Sequence, residues 1–462
     1  MTEPPFYEPH AGFYDEALLP GGAPRPHYAE LLRRLADAGA GDLAARVAAE
    51  AAATGVAFGG EDDLRRFHVD AVPRVFGAAE WAGLEAGLIQ RVRALDAFVA
   101  DVYGPRAIVG AGRVPAAVVD SCDHLEPLLA GVDLPAVSIG VAGLDVVRGA
   151  DGLLRVLEDN VRTPSGMTYM LAARESVERA LPGELAGRAR PLDGVLEQLA
   201  RTLSVGDAAV VLLSDGPANT AWYEHGRIAR ELEIPLVTLS DLEVVGERLY
   251  ATLDGRRGAV EVVYRRTDED RLTDEHGELT DVGAALWEPL RAGTLRCVNG
   301  FGTGVADDKL VHAYVGEMVR FYLREEPLLP SVRTYHLADP EVLDDVLERL
   351  EELVVKPRTG HGGHGVVVGP HADVADLRKV AQAIRRDPHD YVAQDTILLS
   401  RHPTVIDGRL EPRHVDLRPF VFVTPDGAAA APGGLTRVAL ERDALVVNSS
   451  QDGGGKDTWV LW

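Results

Sequence analysis

An α/β protein built from two or three lobes is what the sequence predicts, on three observations. The stretch AVVLLSDG, then NTAWYEHGRIARELEI, then PLVTL alternates strand, helix and strand, the pattern of a Rossmann-like layer. Further along, ELVVKPRTGHGGHGVVVGP reads as a strand, a glycine loop and a second strand. A chain of 462 residues also exceeds what one ordinary core holds, so it divides into units that each bury an apolar interior.

Taken in order, residues 1–115 carry Ala-rich amphipathic runs from His27 to Ala53 and from Ala79 to Tyr103, separated by Gly and Pro, and predict a helical cap. In residues 116–205 the pattern changes to β-branched runs, VSIGVAGLDVV and LLRVLEDN. The Asp151-Gly152 turn signal between them predicts two antiparallel strands. Residues 206–304 form the Rossmann-like lobe, with a further strand near AVEVVYR. Residues 305–462 begin with helical periodicity from Val311 to Leu353, continue through the strand and glycine loop, and are mostly β from Tyr391 to Trp462. Linkers are expected near 115–135, 186–206 and 296–308.

Composition narrows the function classes. A formal charge of −25 repels phosphate backbones and anionic lipid, which argues against nucleic-acid and membrane partners. A single nucleotide is different, because a few local cations, Mg2+ and backbone amides hold a triphosphate inside an acidic protein. Only Cys122 and Cys297 occur, so neither a disulfide framework nor a multi-thiolate metal site is expected, and a reducing cytoplasm fits. The N-terminal stretch has no basic region followed by an apolar one, and no segment approaches a membrane span.

Several groups of residues carry chemistry. Asp145, Glu158 and Asn160 place oxygen donors on the two hairpin strands, with Glu158 and Asn160 on one face. Mg2+ takes one or two carboxylates plus substrate phosphates, which this set matches; a solvated hairpin face explains the residues equally well. Lys356 ends an apolar strand and precedes Gly360, Gly362, Gly363 and Gly365, which free the backbone to approach phosphates. No Walker loop is present, and a hairpin turn alone needs glycine; His361 and His364 read as polar loop residues. In HVDLRPFVF, Arg418 interrupts an apolar strand and requires an anion, either a ligand or Asp416 on the same strand. The tail adds Arg437, Asn448 and a glycine loop ending in Lys456, a cation that a flexible loop brings down over phosphates.

Four of these segments resemble one fold. VLEDNVRTPSGMTYMLAAR resembles the segment of D-alanine:D-alanine ligases that reads LEANTSPGMT, where Glu and Asn bind Mg2+. DDKL, with Lys309, resembles the first nucleotide lysine of ATP-grasp enzymes. LVVKPRTGHGGHG resembles their second lysine and glycine-rich hairpin, and VDLRPFVF their DxR strand. Ordinary ATP-grasp chains run from the Rossmann-like lobe to the lysines and the DxR strand, and finish with the acidic hairpin. Here the hairpin comes first, and moving residues 115–205 behind Trp462 restores the order, which is circular permutation. Over nearly its whole length the chain resembles the uncharacterised type 2 group of the permuted ATP-grasp family, with distant similarity to glutathionylspermidine synthase. Two departures stand out: Gly143 replaces an arginine that some relatives carry two residues before Asp145, and Asp452 lies among the loop glycines. Arg418 or Arg437 is expected to supply the missing cation.

The resemblance implies an ATP-dependent ligase in which a small-molecule or peptide carboxylate takes the γ-phosphate of ATP and an amine then displaces phosphate to form an amide. It assigns Mg2+ to Asp145, Glu158 and Asn160, and phosphate contacts to Lys309, Lys356 and the glycine hairpin. Adenine falls near Tyr391 to Gln394, and charge stabilisation to Arg418, Arg437 and Lys456. Arg162, Ser165, Gly166 and Tyr169 lie where related ligases meet the acyl phosphate or substrate, although Arg162 also suits a local cap. Two other classes share these residues, a phosphotransferase and a nucleotide-binding scaffold. The acceptor pocket is a matter of loops, which the fold does not specify.

Overall fold

A single long strand, Arg409–Thr424, organises the molecule because both of its edges are paired along most of its length. The computed structural model describes residues 6–60, 63–181, 183, 187–360, 365–442, 444 and 453–462. On one edge the long strand pairs antiparallel with Gly427–Val438, which pairs with Gly454–Val460. On the other it meets Arg401–Ile406, then Asp145–Arg148 and Val141–Gly143. The hairpin partner Leu154–Glu158 completes that side of the eight-stranded sheet. Alternate residues of the long strand, among them Val415, Leu417, Val421 and Val423, are apolar and buried, as a strand between two covered faces requires.

The far edge corrects one expectation. Residues 1–115 are more than a helical cap: Val69–Phe76 is a fully buried strand that pairs parallel with Gly454–Val460. Pro73 donates no hydrogen bond, and it is accommodated because this strand closes the sheet. Its two charges are also satisfied. Arg74 meets Glu16, which Arg148 and Ser400 also hold, at 3.0 and 2.6 Å. Asp70 accepts from Val72 N at 3.0 Å and Val405 N at 2.8 Å, and pairs with Lys456. The helix Ala78–Tyr103 follows, with Trp81, Leu84, Leu88, Val92, Leu95 and Val102 spaced to form one apolar face that is buried in the main core.

Two smaller units flank this sheet. The Rossmann-like lobe is a parallel sheet in the order Arg296–Val298, Val262–Arg266, Val210–Ser214, Leu236–Val237, covered by the helices Trp222–Glu231 and Asp281–Arg291. Every residue of VVLLS is buried, as a strand covered on both faces demands. Three antiparallel strands, Leu242–Val245, Arg248–Leu253 and Arg256–Val260, extend this lobe; Asp254 and Gly255, both at positive φ, make the tight turn between the last two. The second unit pairs Thr334–His336, Tyr391–Asp395, Leu353–Pro357 and Val367–Val368 antiparallel, with helices Pro340–Glu348 and Val374–Arg386 packed around Leu337, Val346, Leu353, Val355 and Ile384.

Lys456 is the second correction. Rather than ending a flexible loop over phosphates, it stands on the strand Gly454–Val460, fully buried, with its ammonium on Asp70 and on the carbonyl of Pro403 at 3.1 Å. Asn448 and most of the tail loop lie outside the described residues. Removing one member of a buried pair strands the other charge, which costs about 3–5 kcal/mol. Lys456→Met is therefore expected to lose stability of that order in urea unfolding. Undiminished stability would contradict the buried pairing with Asp70.

Candidate active site

The acidic hairpin sets the site. Asp145 and Glu158 are direct partners across the strand pair, next to a register irregularity between Asp145 and Val146. The turn is closed by Gly152 N on Gly149 O at 2.9 Å, with Gly152 at φ 80°, and by Asp151 accepting from Leu153 N at 3.1 Å. Like charges placed opposite each other repel, so each carboxylate needs its own cation. Arg418 grips Asp145 with Nε and Nη2 at 2.8 and 2.9 Å, and Arg437 adds Nη2 at 3.0 Å. Lys356 Nζ meets Glu158 at 2.9 Å. Burial pushes both carboxyls up, but these cations outweigh it. Asp145 is held down at about 2 by Arg418 and Arg437, and Glu158 lies below the usual carboxylate range, chiefly through Lys356.

The DxR strand therefore works differently from an internal salt bridge. Asp416 pairs with Arg437 on the neighbouring strand, Nε at 2.8 Å, and leaves Arg418 to Asp145. Gly143 belongs to the same arrangement: a Cβ there would lie 2.9 Å from Pro164 Cβ and 3.4 Å from Arg418 Cδ. A side chain at 143 would thus press on Pro164 and Phe420 first, with Arg418 in ordinary contact beside them. Asn160, at the end of the hairpin, has a buried amide nitrogen without a protein partner.

The opposite wall carries the lysines. Lys309 follows the short helix Gly304–Asp307 and donates to the carbonyls of Gly360 at 2.8 Å and Arg358 at 3.3 Å. Burial pushes its ammonium below the usual lysine range, with Glu158 opposing and Lys356 adding to the shift. Arg358 anchors the segment through Asp308 at 2.8 and 2.9 Å and Ser121 at 2.6 Å. Gly360 and Gly365 have φ of 98° and 72°, and a Cβ at Gly365 would lie 2.8 Å from Pro357. Gly362 and Gly363 lie outside the described residues. Gln394 donates to Thr334 Oγ1 at 2.9 Å, and its buried Oε1 has no protein partner.

The third wall joins the hairpin to the Rossmann-like lobe. Arg162 bonds Asp270 at 2.8 Å and His124 at 3.0 Å, and approaches Asp307 at 3.5 Å. Ser165 offers its carbonyl to Arg418 Nη1 at 3.1 Å. Gly166, at φ 119°, donates its amide to Glu224 at 3.0 Å. Tyr169 donates to Ala57 O at 3.0 Å, and its ring packs with Phe58, Phe67 and Tyr223.

These walls enclose a cleft of about 1170 Å3. Asp145, Glu158 and Asn160 line it together with Lys309, Lys356, Gly360, Gln394, Arg418, Arg437, Arg162, Ser165, Gly166 and Tyr169. Gly365, Tyr391 and Lys456 are not part of its lining. Sequence reasoning missed Asp159, which lines the cleft beside Glu158 and Asn160. It is buried between Arg91, at 2.6 and 2.7 Å, and His312, at 2.7 Å, and so ties the hairpin to the long N-terminal helix and to the segment after Lys309. The available signal was Arg91 itself, a charge on the buried face of an amphipathic helix. Among the described residues no cluster of three or more His, Cys, Asp or Glu could enclose a metal unaided, and no helix is long and apolar enough to cross a membrane.

Residues 73–439 match the family model described as circularly permuted ATP-grasp type 2. The chain belongs to that family. The curated relatives of this ATP-grasp chain include one of Frankia alni named "Putative glutamate--cysteine ligase 2-3", 44% identical, with 98% of this chain and 54% of that protein covered. An uncharacterised protein of Mycobacterium tuberculosis is 41% identical, covering 98% of this chain and 84% of that one. Another, of Synechocystis, is 40% identical, with 98% of each covered. The chain thus spans about half the length of the Frankia relatives it matches. Among solved structures, a glutathione synthetase-like effector of Globodera pallida in apo form superposes with a TM-score of 0.59 at 13% identity, over 91% of this chain and 97% of that one. At that identity the likeness concerns the fold.

Because the Asp145 carboxyl titrates lower folded than unfolded, its contribution to stability is complete above about pH 4, the usual carboxylate value, and is lost as pH falls through about 2. Arg418→Met should raise that carboxyl and destabilise the protein at neutral pH. The gap to wild type should narrow between pH 4 and 2 in acid-dependent urea melts. A gap independent of pH would separate Asp145 from Arg418.

Proposed function

We propose that this ATP-grasp chain is an ADP-forming ligase that joins a carboxylate to an amine through an acyl phosphate. One observation carries the proposal: two carboxylates and four cations, brought from distant parts of the chain, face one cleft large enough for a nucleotide and a second ligand. The names of relatives as glutamate–cysteine ligases support the same reaction class. Both cysteines are buried free thiols, which suits a reducing cytoplasm, and the charge of −25 disfavours nucleic acid as a partner.

The donor set fits Mg2+. Asp145, Glu158 and Asn160 supply hard oxygen atoms but no complete protein cage, which matches an ion that takes one or two carboxylates and completes its shell with phosphate oxygens and water. When bound, the ion offsets charge on the phosphates. Lys356 is paired with Glu158 in the structure, and a phosphate oxygen competes for the same ammonium, so nucleotide binding frees Glu158. Lys309, beside the Gly360 carbonyl, takes a second phosphate contact. Gln394 Oε1, buried and unmatched, suits an amino-group donor such as that of adenine.

In the first half-reaction a donor carboxylate oxygen forms a bond to the γ-phosphorus while the bond to the β-phosphate oxygen breaks, releasing ADP. The amine nitrogen then bonds to the acyl carbon, the carbon–oxygen bond to phosphate breaks, and the nitrogen's proton leaves to solvent. Arg418 and Arg437 lie where negative charge develops, already oriented by Asp145 and Asp416, so little reorganisation is needed. A phosphotransferase would release ADP with the acid alone, and a scaffold would release none.

Glu158→Gln keeps shape but removes a ligand charge. ADP release that requires both an acid and an amine should fall by about a hundredfold to a thousandfold in the folded fraction, and the thermal midpoint should fall too because Lys356 loses its partner. A near-normal rate would remove the hairpin from the chemistry.

A further inference from the structure

An amine that attacks an acyl carbon has a proton to lose, and a carboxylate already paired with a cation is a poor acceptor for it. Of the carboxylates on the cleft, those of Asp145, Glu158, Asp159, Asp270, Asp307 and Asp308 are each spent on an arginine or lysine. Asp268 and Asp395 accept from Asn219 and Tyr335. Lys309 and Lys356 act as donors, to the Gly360 carbonyl and to Glu158. Among the described residues three imidazoles line the cleft. His225 has both nitrogens engaged, by Ser214 at 2.8 Å and Arg266 at 3.4 Å, and is 1% exposed. His312 is 2% exposed and held on Asp159. His124 differs, with 27% of its side chain exposed.

His124 stands in a turn between the short helix Ala116–Asp120 and the acidic hairpin, and the segment is docked from two sides. Glu126 accepts from Leu272 N at 2.7 Å, which ties the turn to the loop that carries Asp270, and its own amide donates to Tyr103 Oη at 3.1 Å. A Cβ at Gly304 would lie 2.4 Å from His124 Cβ and 3.1 Å from Arg162 Cδ, so glycine at 304 leaves room for both side chains. Arg162 Nη1 donates to His124 Nε2 at 3.0 Å. A guanidinium only donates, so Nε2 carries the lone pair and Nδ1 the proton, toward Asp270 Oδ1 at 3.7 Å. Burial, Arg162 and Arg271 hold the imidazole below the usual histidine range, while Asp270 and Asp307 oppose them. The ring is therefore neutral at physiological pH. Asp123, the preceding residue, is an exposed carboxylate on the same lining and is the rival proton acceptor.

We infer that His124 is the general base of the amide-forming step, with Arg162 covering its lone pair until a phosphate takes the guanidinium. The inference rests on the ligase reading above and adds the group that carries the amine's proton on its way to solvent. An anionic phosphate oxygen attracts a guanidinium more strongly than a neutral ring nitrogen does, so Nε2 is uncovered as the acyl phosphate forms. The amine nitrogen then bonds to the acyl carbon, an N–H proton passes to Nε2, and the carbon–oxygen bond breaks with its electron pair on phosphate. Asp270, facing Nδ1, offsets the charge of the imidazolium, which returns the proton to water through its exposed edge.

Hydroxylamine separates a base from a structural residue, because it is unprotonated at neutral pH and its adduct sheds a proton with little help. With L-glutamate and Gly-Gly as acids, ADP release is measured with glycine, L-cysteine and putrescine as amines, and with hydroxylamine, whose product forms a coloured ferric hydroxamate. His124→Gln, which keeps an acceptor for Arg162, should lose at least about a hundredfold in kcat/KM for the amine that the wild type uses best, yet stay near the wild type with hydroxylamine. The wild-type amine rate should fall as pH drops below the usual histidine range, because the neutral ring is the active form. That acid limb should vanish in His124→Gln and persist in Asp123→Asn. Equal losses with both nucleophiles, or an acid limb that disappears with Asp123, overturn the inference and leave the ligase reading standing. A wild type that releases ADP with neither the amines nor hydroxylamine counts against the ligase reading and takes the base with it. Imidazole nitrogen NMR spectra of the full chain test the ring directly, with His124 assigned by its loss in His124→Gln. Nδ1 alone should carry a proton at neutral pH; a proton on Nε2 there overturns the inference.

Discussion

Charge cancellation between distant segments governs this protein. Asp145 and Glu158 stand directly across a strand pair, where two carboxylates in a buried place repel each other and resist ionisation. They stay charged because Arg418, Arg437 and Lys356 reach them from strands more than a hundred residues further along. Breaking one contact exposes the others, because Arg437 is shared between Asp145 and Asp416. The arrangement also suits nucleotide binding. Cations aligned by internal carboxylates are already oriented, and phosphate oxygens exchange one set of anions for another without moving the cations far.

The topology serves that convergence. The strand Arg409–Thr424 carries Arg418 and pairs with both halves of the acidic segment, Val141–Gly143 and Asp145–Arg148. The site is therefore assembled across the sheet, which is why the order of segments along the chain can be permuted without disturbing it. Asp159 performs the same service at the end of the hairpin, fixing it to Arg91 and His312. The Rossmann-like lobe is joined through Glu224, which reaches the start of Met167–Ala180.

What could be read in the sequence was chemistry carried by local pattern. The Asp151-Gly152 turn placed Asp145 and Glu158 on paired strands, and LVVKP placed Lys356 at a strand end beside glycines. Partnership was harder, because it depends on which strands become neighbours. Arg418 and Asp416 are two apart on one face, yet each takes a partner from an adjacent strand. Lys456 looked like a loop cation because a glycine run precedes it, and its burial follows only from Asp70 on a parallel neighbour. That neighbour, VDAVPRVF, was obscured by a proline and two charges. These disfavour a strand until Glu16, Lys456 and the sheet edge account for them.

The central claim is that the acidic hairpin and the lysine wall bind one Mg-ATP molecule between them. Hydrogen exchange measured by mass spectrometry, with and without saturating Mg-ATP, tests it most directly through peptides covering residues 158–166 and 353–360. The account predicts slowed exchange in both peptides together, over the same range of nucleotide concentration. Slowing confined to one of them, or occurring at two separate concentrations, would contradict a shared site.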